Sequence, residues 1–531
     1  MKRKNSKKFS FFCYILILYL FASTHKCEIV NLNNIQTNLT PAVYSITSRS
    51  FGPYYNNLVY RRTSEQTIYF SKRNKGFMKN LRFIPSKNYQ STYYIEFVYK
   101  RKILGLNETD LNSIILYDNI TEISLDRSII RWKIYNIMNK NYIIQNMYTK
   151  KFWRTKKFIY LDCTGSLKYV NDSNFIRTDL IQNTMLFRII KLYEEVRMKE
   201  EHVQIIEKEP IDVLIKYIDL SDPFLKRDGI KQIKKDKDNG ELKYCLRSIF
   251  KFIPWVRKIF ILMPNEKVSF LKPLEEIKEK IVYIRDKDLL GFDSESSTAF
   301  QYILFRLKDF GISDNFLLMD DDYFIGKPLK KTDFFYFDDN SQKIVPIITT
   351  MNSNFREVQK NELISTISYS LNMNCNDATL SHTPTGWKAT KARSLLLLME
   401  QVGRPLISGG FDHNTIPVNV NDIEEIYNLI YLKYKYSFIT LYSKTRTKYD
   451  LQFQLLYTTY TLNKLNRKVK QIYSQYFDVK NARNVTYGIG LFCINTGFIE
   501  YNDIDFENLK NKLKELFPEP ISYEKNDSNK T

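Results

Sequence analysis

Short apolar stretches alternate with amphipathic segments along the second half of the chain, and this alternation limits the possible folds. IDVLI opens residues 211–223, KIFILM ends before Pro264, and IVYIRD spans residues 281–286. Residues 241–253 and 296–310 carry apolar side chains at helical spacing. Buried strands that alternate with helices predict an α/β fold with a mainly parallel, doubly wound sheet.

Three consecutive carboxylates follow the strand-like stretch FLLM: Asp320, Asp321 and Asp322, here called the acid triplet. Ligands of doubly wound sheets bind beyond the carboxyl ends of the strands, which is where these acids are expected. Adjacent carboxylates raise one another's pKa unless a cation or a hydrogen-bond donor compensates them. The triplet therefore predicts a divalent metal, Mg²⁺ or Mn²⁺, that bridges a nucleotide diphosphate. A solvated acidic turn is the alternative for such a run taken alone.

The first half of the chain contains three repeats of about 50 residues. They begin with AVYSITSRS, YYIEFVYKRKILG and YIIQNMYTKKFWR, and each closes on an alternating strand, LRFIP, IIRWKIY or MLFRIIKLY. The pattern predicts an all-β domain over residues 40–196 and resembles a β-trefoil of the ricin-type lectin or MIR kind. Because the repeats share no sugar-binding Asp/Gln pair, both a glycan-binding module and a domain that only positions its neighbour stay open. Residues 197–210 are predicted to be a charged helical linker.

The amino-terminal residues are typical of a targeting segment. MKRKNSKK is basic, FFCYILILYLFA is apolar and STHKC is polar, which predicts a secretory signal peptide or a signal anchor over residues 1–26. The apolar run is short beside the roughly 20 residues of a bilayer-spanning helix. Seven Asn-x-Ser/Thr sequons fit the same compartment. We expect the lumen of the secretory pathway, associated with the Golgi or ER membrane, or else secretion.

The net charge of +22 suits an anionic substrate without establishing one. The lysine excess is spread along the whole chain, and no zinc finger, aromatic ribonucleoprotein box or basic zipper is present, so no nucleic-acid partner is predicted. The cysteines beyond the apolar run are widely spaced and form no CxxC pair. This spacing excludes a structural zinc site of the usual kind and allows at most two internal disulfides.

The second half resembles the stealth family of sugar-phosphate transferases. IDV with IDLSDP, DNGELKYCLRSIFKFIPWVRKIFIL, SSTAFQ and FLLMDDDYFIGKPL resemble its first two conserved regions. SHTPTGWK resembles the third, RTKYDLQ its Arg-x-x-x-Asp-x-Gln motif, and LFCINTGFIEY with LFPEPISYE the fourth. The family includes capsular-polysaccharide phosphotransferases and the catalytic subunit of N-acetylglucosamine-1-phosphotransferase. The resemblance covers residues 211–524.

The resemblance implies an enzyme that transfers a sugar 1-phosphate from a nucleotide-sugar, such as UDP-GlcNAc, to a hydroxyl of a glycan or glycoprotein acceptor. Such a transfer needs charge neutralisation, alignment and a base. Two other functions stay open. One is a nucleotide-sugar glycosyltransferase with the acids as a DxD-like metal site, and the other is a secreted glycan-binding protein whose transferase-like half is inactive.

The resemblance also assigns the central catalytic roles. His382 is the candidate base, since a histidine accepts a proton near neutral pH, and His413 in GGFDHN is a weaker rival. Asp321 and Asp322 correspond to the family's paired acids, which implies a metal or pyrophosphate site. Arg446 offers a planar fork suited to phosphate.

Six further residues are expected to bind substrate. Asp212 should face the nucleotide-sugar, and Asn495 should donate to its sugar or phosphate. Arg247 has the alternative of pairing with a core acid. Glu241 and Asp450 have the alternative of orienting basic side chains. The complete set is Asp212, Glu241, Arg247, Ser297, Asp450 and Asn495.

Several positions depart from the family's pattern. Its Asn-Ser-x-Ala-Ile-Glu is SSTAFQ here, so that Gln301 replaces a carboxylate. Asp320 stands where the family has Asn, Thr496 where it has Asp, and Tyr217 where it has Trp. The departures imply a different sugar or acceptor, or weak activity.

Overall fold

The structure is a computed structural model in which the chain forms two compact units, Met1–Leu192 and Tyr193–Thr531. It describes residues 29–31, 39, 42–48, 56–60, 68–71, 81–86, 92–97, 102–106, 114–117, 130–138, 141–147, 152–155, 159–162, 175–177, 187–218, 240–265, 267–292, 300–350, 355–372, 384–403, 405–409, 413–433, 450–486, 488–495 and 502–525.

The described residues of the first unit form β-strands. The strands are β1 (Ile29–Asn31), β2 (Val43–Ser48), β3 (Asn56–Tyr60), β4 (Ile68–Ser71), β5 (Leu81–Pro85), β6 (Thr92–Phe97), β7 (Lys102–Leu106), β8 (Ile114–Tyr117), β9 (Trp132–Met138), β10 (Asn141–Asn146), β11 (Phe152–Thr155), β12 (Ile159–Asp162), β13 (Phe175–Arg177) and β14 (Phe187–Tyr193).

The strand pairings follow the three sequence repeats. In each repeat the opening strand pairs with the closing strand, β2 with β5, β6 with β9 and β10 with β14. Strands β5 and β6, β9 and β10, and β14 and β2 join consecutive repeats, which closes a barrel. Each repeat adds a hairpin, β3–β4, β7–β8 or β11–β12. A closed barrel of three paired repeats with three hairpins is trefoil-like, and the prediction of an all-β first domain is confirmed.

The core of this barrel is aromatic and aliphatic. Phe83, Phe97 and Trp132 are nearly or fully buried, and the indole Nε1 of Trp132 donates a hydrogen bond of 2.9 Å to the Leu104 carbonyl. The buried indole N–H of Trp132 is therefore paired.

The second unit mixes strands and helices. Its strands are β15 (Asp212–Lys216), β16 (Ile259–Met263), β17 (Ile281–Arg285), β18 (Asn315–Asp320), β19 (Tyr323–Ile325), β20 (Phe335–Asp338), β21 (Lys343–Pro346), β22 (Ile348–Thr350), β23 (Arg356–Glu357), β24 (Ile407–Ser408), β25 (Ile416–Asn419), β26 (Val469–Gln471), β27 (Ser474–Asp478) and β28 (Leu491–Asn495). Its α-helices are α1 (Glu200–Lys208), α2 (Glu241–Phe252), α3 (Leu274–Ile277), α4 (Asp286–Leu290), α5 (Lys331–Phe334), α6 (Lys360–Leu371), α7 (Pro384–Val402), α8 (Val420–Lys433), α9 (Phe453–Asn463) and α10 (Asp503–Leu516), and Phe300–Phe310 and Val479–Asn484 are 3-10 helices.

A five-stranded sheet in the order β17-β16-β15-β18-β25 lies at the centre of this unit. The first four strands are parallel, and β25 runs antiparallel at the edge. Val213 and Ile215 pack on one face with Leu246 of α2, whereas Leu214 packs on the other face with Phe300. Because both faces are covered, the strands are continuous apolar runs, as the sequence pattern predicted.

Residues 197–210, predicted to be a charged helical linker, contain the helix α1, which belongs to the second unit. Ile206 is fully buried, and His202 Nε2 lies 3.1 Å from the Asp339 carboxylate. The division between the units falls at Tyr193, before the predicted end of the β domain at residue 196. Although most side chains of α1 are charged or exposed, it buries His202 and Ile206.

The targeting prediction over residues 1–26 lies outside the described residues. Within the described ranges, no helix has both the length and the apolar character needed to cross a bilayer.

Candidate functional site

The carboxyl ends of β15 and β18 lie side by side at the middle of the central sheet. From β15 the chain adds β16 and then β17 on one side, and it forms β18 on the other side. Such a reversal of direction opens a crevice beyond the strand ends, where α/β sheets bind ligands. Asp320 ends β18 and is level with Lys216, which ends β15. The acid triplet therefore begins at this crevice.

Asp322 is held by the end of a neighbouring strand, β28. Its Oδ2 accepts a hydrogen bond of 2.5 Å from Nδ2 of Asn495, and the Cys493 Sγ lies 3.5 Å from the same oxygen. The backbone N–H of Ile494 donates to the Asp322 carbonyl at 3.2 Å. The fourth motif region thus reaches the acids of the second, and Asn495 contacts a site acid directly.

The surroundings of Asp322 disfavour its negative charge. Burial, followed by the nearby charge of Asp320, raises the pKa of Asp322 to about 7, against the effect of the hydrogen bonds from Asn495 and Cys493. The charge of Glu241, at the start of α2, acts in the same direction as that of Asp320. The site therefore favours either a proton or a cation near Asp322 at neutral pH.

His413 reaches the same region through a small sheet in the order β19-β28-β27. Tyr476 of β27 is level with Cys493 of β28, and side chains of level residues share one face of a sheet. The His413 ring lies 5.5 Å from the Tyr476 ring and 5.7 Å from that of Trp387, measured between centroids. Cys493 contacts the Asp322 carboxylate, and Tyr476 contacts the His413 ring. Since Cys493 and Tyr476 lie side by side on one face of this small sheet, Asp322 and His413 each approach that face.

Three predicted residues lie outside the described residues: His382, Arg446 and Ser297. Their proximity to the acid triplet stays a prediction.

The expected role of Asp212 is wrong. It begins β15, at the opposite end from Lys216, and is fully buried. Its carboxylate accepts hydrogen bonds from Arg257 at 2.9 and 2.5 Å, and from the backbone N–H of Ser313 at 2.6 Å. An acid before a parallel strand lies at the amino edge of the sheet, away from the crevice. Asp212 therefore fastens the sheet and does not face a nucleotide-sugar.

For Arg247, the alternative of pairing with a core acid is confirmed. Its Nε and Nη2 each donate to the Glu524 carboxylate at 2.7 Å, and Nη1 donates to the Phe517 carbonyl at 2.8 Å. Both charged side chains are buried. This pair joins α2 to the carboxyl-terminal segment.

The segment that begins at Asp450 also approaches the acids. Asp450 is buried, and its charge adds to the burial that raises the pKa of Tyr302 well above its ordinary range. Further along, Gln454 hydrogen-bonds the side chain of Tyr323, the residue after the acid triplet. A contact of Asp450 with substrate stays a prediction.

Lys216 and Gln454 were missed by the sequence analysis. Lys216 could have been found, because it ends an apolar strand at the edge where ligands bind. Gln454 has no such signal, since its approach to Tyr323 depends on the packing of α9. Gln301, noted only as a departure, is buried, and its Oε1 has no hydrogen-bond partner among the described residues.

The acids suit a metal that is shared with substrate. In the part of the chain that the structure describes, no three His, Cys, Asp or Glu side chains group as metal ligands. Mg²⁺ is usually held by one or two carboxylates, together with water and substrate phosphates. Asp321 and Asp322 offer this donor set, and burial together with the charge of Asp320 raises the pKa of Asp322 to about 7, which a bound cation would oppose.

Comparisons with known proteins identify the region that carries the acids. Residues 235–343 match the family model described as Stealth protein CR2, conserved region 2. A capsular polysaccharide phosphotransferase of Actinobacillus suis is 29% identical over 170 residues, covering 27% of this chain and 44% of the relative. The exopolysaccharide phosphotransferase CpsY of Mycobacterium tuberculosis is 32% identical over 139 residues, covering 24% of this chain and 25% of the relative. The chain thus spans less than half the length of these relatives.

A solved structure, the BEL beta-trefoil, is 13% identical in sequence. The match covers 30% of this chain and 99% of the BEL chain, with a TM-score of 0.21. An overlap this small adds nothing to the topology that the strand pairings establish. Residues 235–343, which match the Stealth family model, include the acid triplet. Together with the two relatives, this match supports the resemblance to the stealth family that the motifs indicated.

Proposed function

We propose that the chain transfers a sugar 1-phosphate from a nucleotide-sugar of the UDP-GlcNAc type to a hydroxyl of a glycan or glycoprotein. One observation carries the proposal: the acid triplet begins at the point where the order of the parallel sheet reverses. Asp322 contacts Cys493 and His413 contacts Tyr476, and these two residues are level on adjacent strands of the small sheet. The names of the relatives, polysaccharide phosphotransferases, support the same reaction.

The reaction is a phosphoryl transfer. The acceptor oxygen attacks the phosphorus that carries the sugar, and a new P–O bond forms. The bond from this phosphorus to the bridging oxygen of the diphosphate breaks, and the nucleoside monophosphate leaves. The proton of the acceptor hydroxyl passes to a base. The protein has to align the reactants and neutralise the developing charge.

His413 is the one of the two candidate bases that lies within the described residues. Its ring stacks on Trp387 with an angle of 20° between the planes, and Tyr476 lies against it at 46°. These contacts help to orient the imidazole, and general-base catalysis depends on a positioned base. His382 remains the rival that the motif resemblance implied.

Asp321 and Asp322 would hold Mg²⁺ or Mn²⁺ together with phosphate oxygens. When bound, the cation neutralises negative charge on the diphosphate. Asn495 keeps the Asp322 carboxylate in place, and the guanidinium of Arg446 would bind a phosphate.

The amino-terminal prediction supports a location in the secretory lumen, at the Golgi or ER membrane or beyond it. A glycan or glycoprotein acceptor would be present there, and the trefoil-like unit would bind or position it.

The released nucleotide tests the proposal. The purified protein is incubated with UDP- and GDP-sugars, an oligosaccharide acceptor and Mg²⁺ or Mn²⁺, with Asp322→Asn as the control. The proposal expects nucleoside monophosphate, and its loss in the variant. Nucleoside diphosphate would identify a glycosyltransferase instead. Glycan binding without any turnover would identify an inactive binding protein.

A further inference from the structure

We propose that Lys216 binds a phosphate of the donor diphosphate beside the acid triplet. This assignment rests on the proposed nucleotide-sugar donor. Lys216 is not among the site residues that the motif resemblance implies.

The position of Lys216 in the sheet is the first argument. Lys216 is the last residue of β15 and is level with Asp320, the last residue of β18. These two strands flank the point where the order of the sheet reverses. A ligand in that crevice meets the residues that end the two strands, one a cation and the other an acid.

The direction of the side chain follows from the alternation along each strand. Leu214 belongs to the same apolar cluster as Phe316 and Leu318, so these side chains share a face of the sheet. Lys216 and Asp320 each lie two residues further along and therefore project from this same face. Neighbouring strands are about 4.8 Å apart, which brings the two side chains next to each other.

The ammonium group of Lys216 is held close to the sheet edge. Its Nζ lies 4.6 Å from the ring centroid of Phe300, which is fully buried. A cation above an aromatic face is attracted by the ring, and partial burial strengthens that attraction. The lysine is thus partly ordered before any ligand binds, which lowers the entropic cost of binding.

The charge balance of the crevice explains why a cation is needed. A donor diphosphate that approaches three adjacent carboxylates meets repulsion, and one divalent metal offsets only part of it. An ammonium group has three donors and can contact Asp320 and a phosphate oxygen together. A structural alternative exists, in which Lys216 only balances the charge of Asp320.

Binding measurements separate the two roles. Lys216→Met keeps most of the apolar stem and removes the charge, Lys216→Arg keeps the charge, and Lys343→Met changes an exposed lysine of β21 as the matched control. The dissociation constants of UDP and of inorganic pyrophosphate, each with Mg²⁺, are measured by calorimetry at two salt concentrations. Uridine serves as the probe without phosphate.

We expect Lys216→Met to weaken the binding of UDP and of pyrophosphate at least about tenfold, which is the loss expected for a hydrogen bond to a charged group. The binding of uridine should not change. Lys216→Arg should retain most of the affinity, and Lys343→Met should match the unaltered protein. The salt dependence of UDP binding should also become weaker in Lys216→Met.

Three results would overturn the assignment. These are unchanged UDP affinity in Lys216→Met, an equal loss for UDP and uridine, and failure of the unaltered protein to bind either phosphate probe. If Lys216→Met does not fold, a normal affinity in Lys216→Gln would overturn it as well. Failure of this assignment is distinguishable from failure of the proposed function. If the chain were a glycosyltransferase, it would release nucleoside diphosphate and would still need Lys216 to bind the donor diphosphate.

Discussion

A single carboxylate, that of Asp322, joins most of the described parts of the site. Asn495 was expected to donate to sugar or phosphate, but its amide already donates to Asp322 at 2.5 Å. The thiol of Cys493 contacts the same oxygen, and burial raises the pKa of this thiol well above its ordinary range, so it stays neutral. Asn495 therefore positions an acid of the proposed site.

Removal of this amide should reduce catalysis more than donor binding. We expect Asn495→Ala to lower kcat about 10- to 100-fold, the usual cost of losing a partner that orients a metal ligand. The concentration of Mg²⁺ needed for half-maximal rate should rise as well. Steady-state kinetics against donor and metal concentration measure both effects. An unchanged kcat and metal requirement would mean that the hydrogen bond does not matter for activity.

The two candidate bases can be compared with one another. We expect His413→Gln to lower kcat about 100- to 10,000-fold, because a positioned base contributes that much to a proton transfer. His382→Gln is the matched variant, since it removes the rival imidazole with the same replacement. Single-turnover rates on both variants decide between them. A large loss in His382→Gln alone would assign the base to His382.

At the scale of elements, α2 is fastened to the carboxyl-terminal segment. Arg247 of α2 holds Glu524 through two hydrogen bonds, and the Lys243 ammonium lies 3.3 Å from the same carboxylate. Next to Glu524, the Lys272 N–H donates to the Tyr523 carbonyl at 2.9 Å. Because α2 begins with Glu241, whose charge raises the pKa of Asp322, this connection links the carboxyl-terminal segment to the surroundings of the acid triplet.

Loss of this ion pair should destabilise the second unit. We expect Glu524→Gln to lower the free energy of unfolding by about 3 kcal/mol, since it leaves the buried guanidinium of Arg247 without its counter-charge. Asp288→Asn, at an exposed ion pair with Arg285, is the control and should change stability little. Urea unfolding followed by circular dichroism measures both. Equal stability of the two variants would contradict the role given to the pair.

The same pair predicts how stability depends on pH. Burial alone would raise the pKa of Glu524, but hydrogen bonds from Arg247 and the Ile521 N–H lower it below the ordinary 4.5. A lowered pKa means that the folded protein binds this proton less tightly than the unfolded chain. Its contribution is therefore complete above pH 4.5 and is lost as the pH falls through the folded-state pKa. Urea unfolding between neutral and acidic pH should show a smaller decline in Glu524→Gln, and parallel curves would contradict this.

At the scale of the whole molecule, periodic patterns predicted the elements well because burial imposes them. The apolar runs became β15, β16, β17 and β18, and the three repeats became three paired strand sets. The acid triplet was found because it interrupts a buried run at a strand end. The predictions that failed concerned the strand end at which a residue lies, or contacts between residues far apart in the sequence. The rule that places Asp320 at the carboxyl edge places Asp212 at the amino edge, and Arg247 meets an acid far along the chain.

The division into two units makes a prediction about truncation. The predicted site residues that the structure describes all lie in the second unit, which has its own buried cores. A shortened chain that begins at Tyr193 should therefore hydrolyse or transfer from the donor with a kcat similar to that of the full chain. Comparison of the two on a small soluble acceptor measures this. A complete loss of activity in a folded second unit would place an essential group in the first.

The fate of the phosphate linked to the sugar tests the central claim most directly. The donor is a UDP-sugar that carries ³²P only in this phosphate, and the products are separated into acceptor and nucleotide. The account predicts label in the acceptor, unlabelled UMP, and loss of both in Asp322→Asn. Label that stays in UDP while the acceptor gains sugar would contradict it.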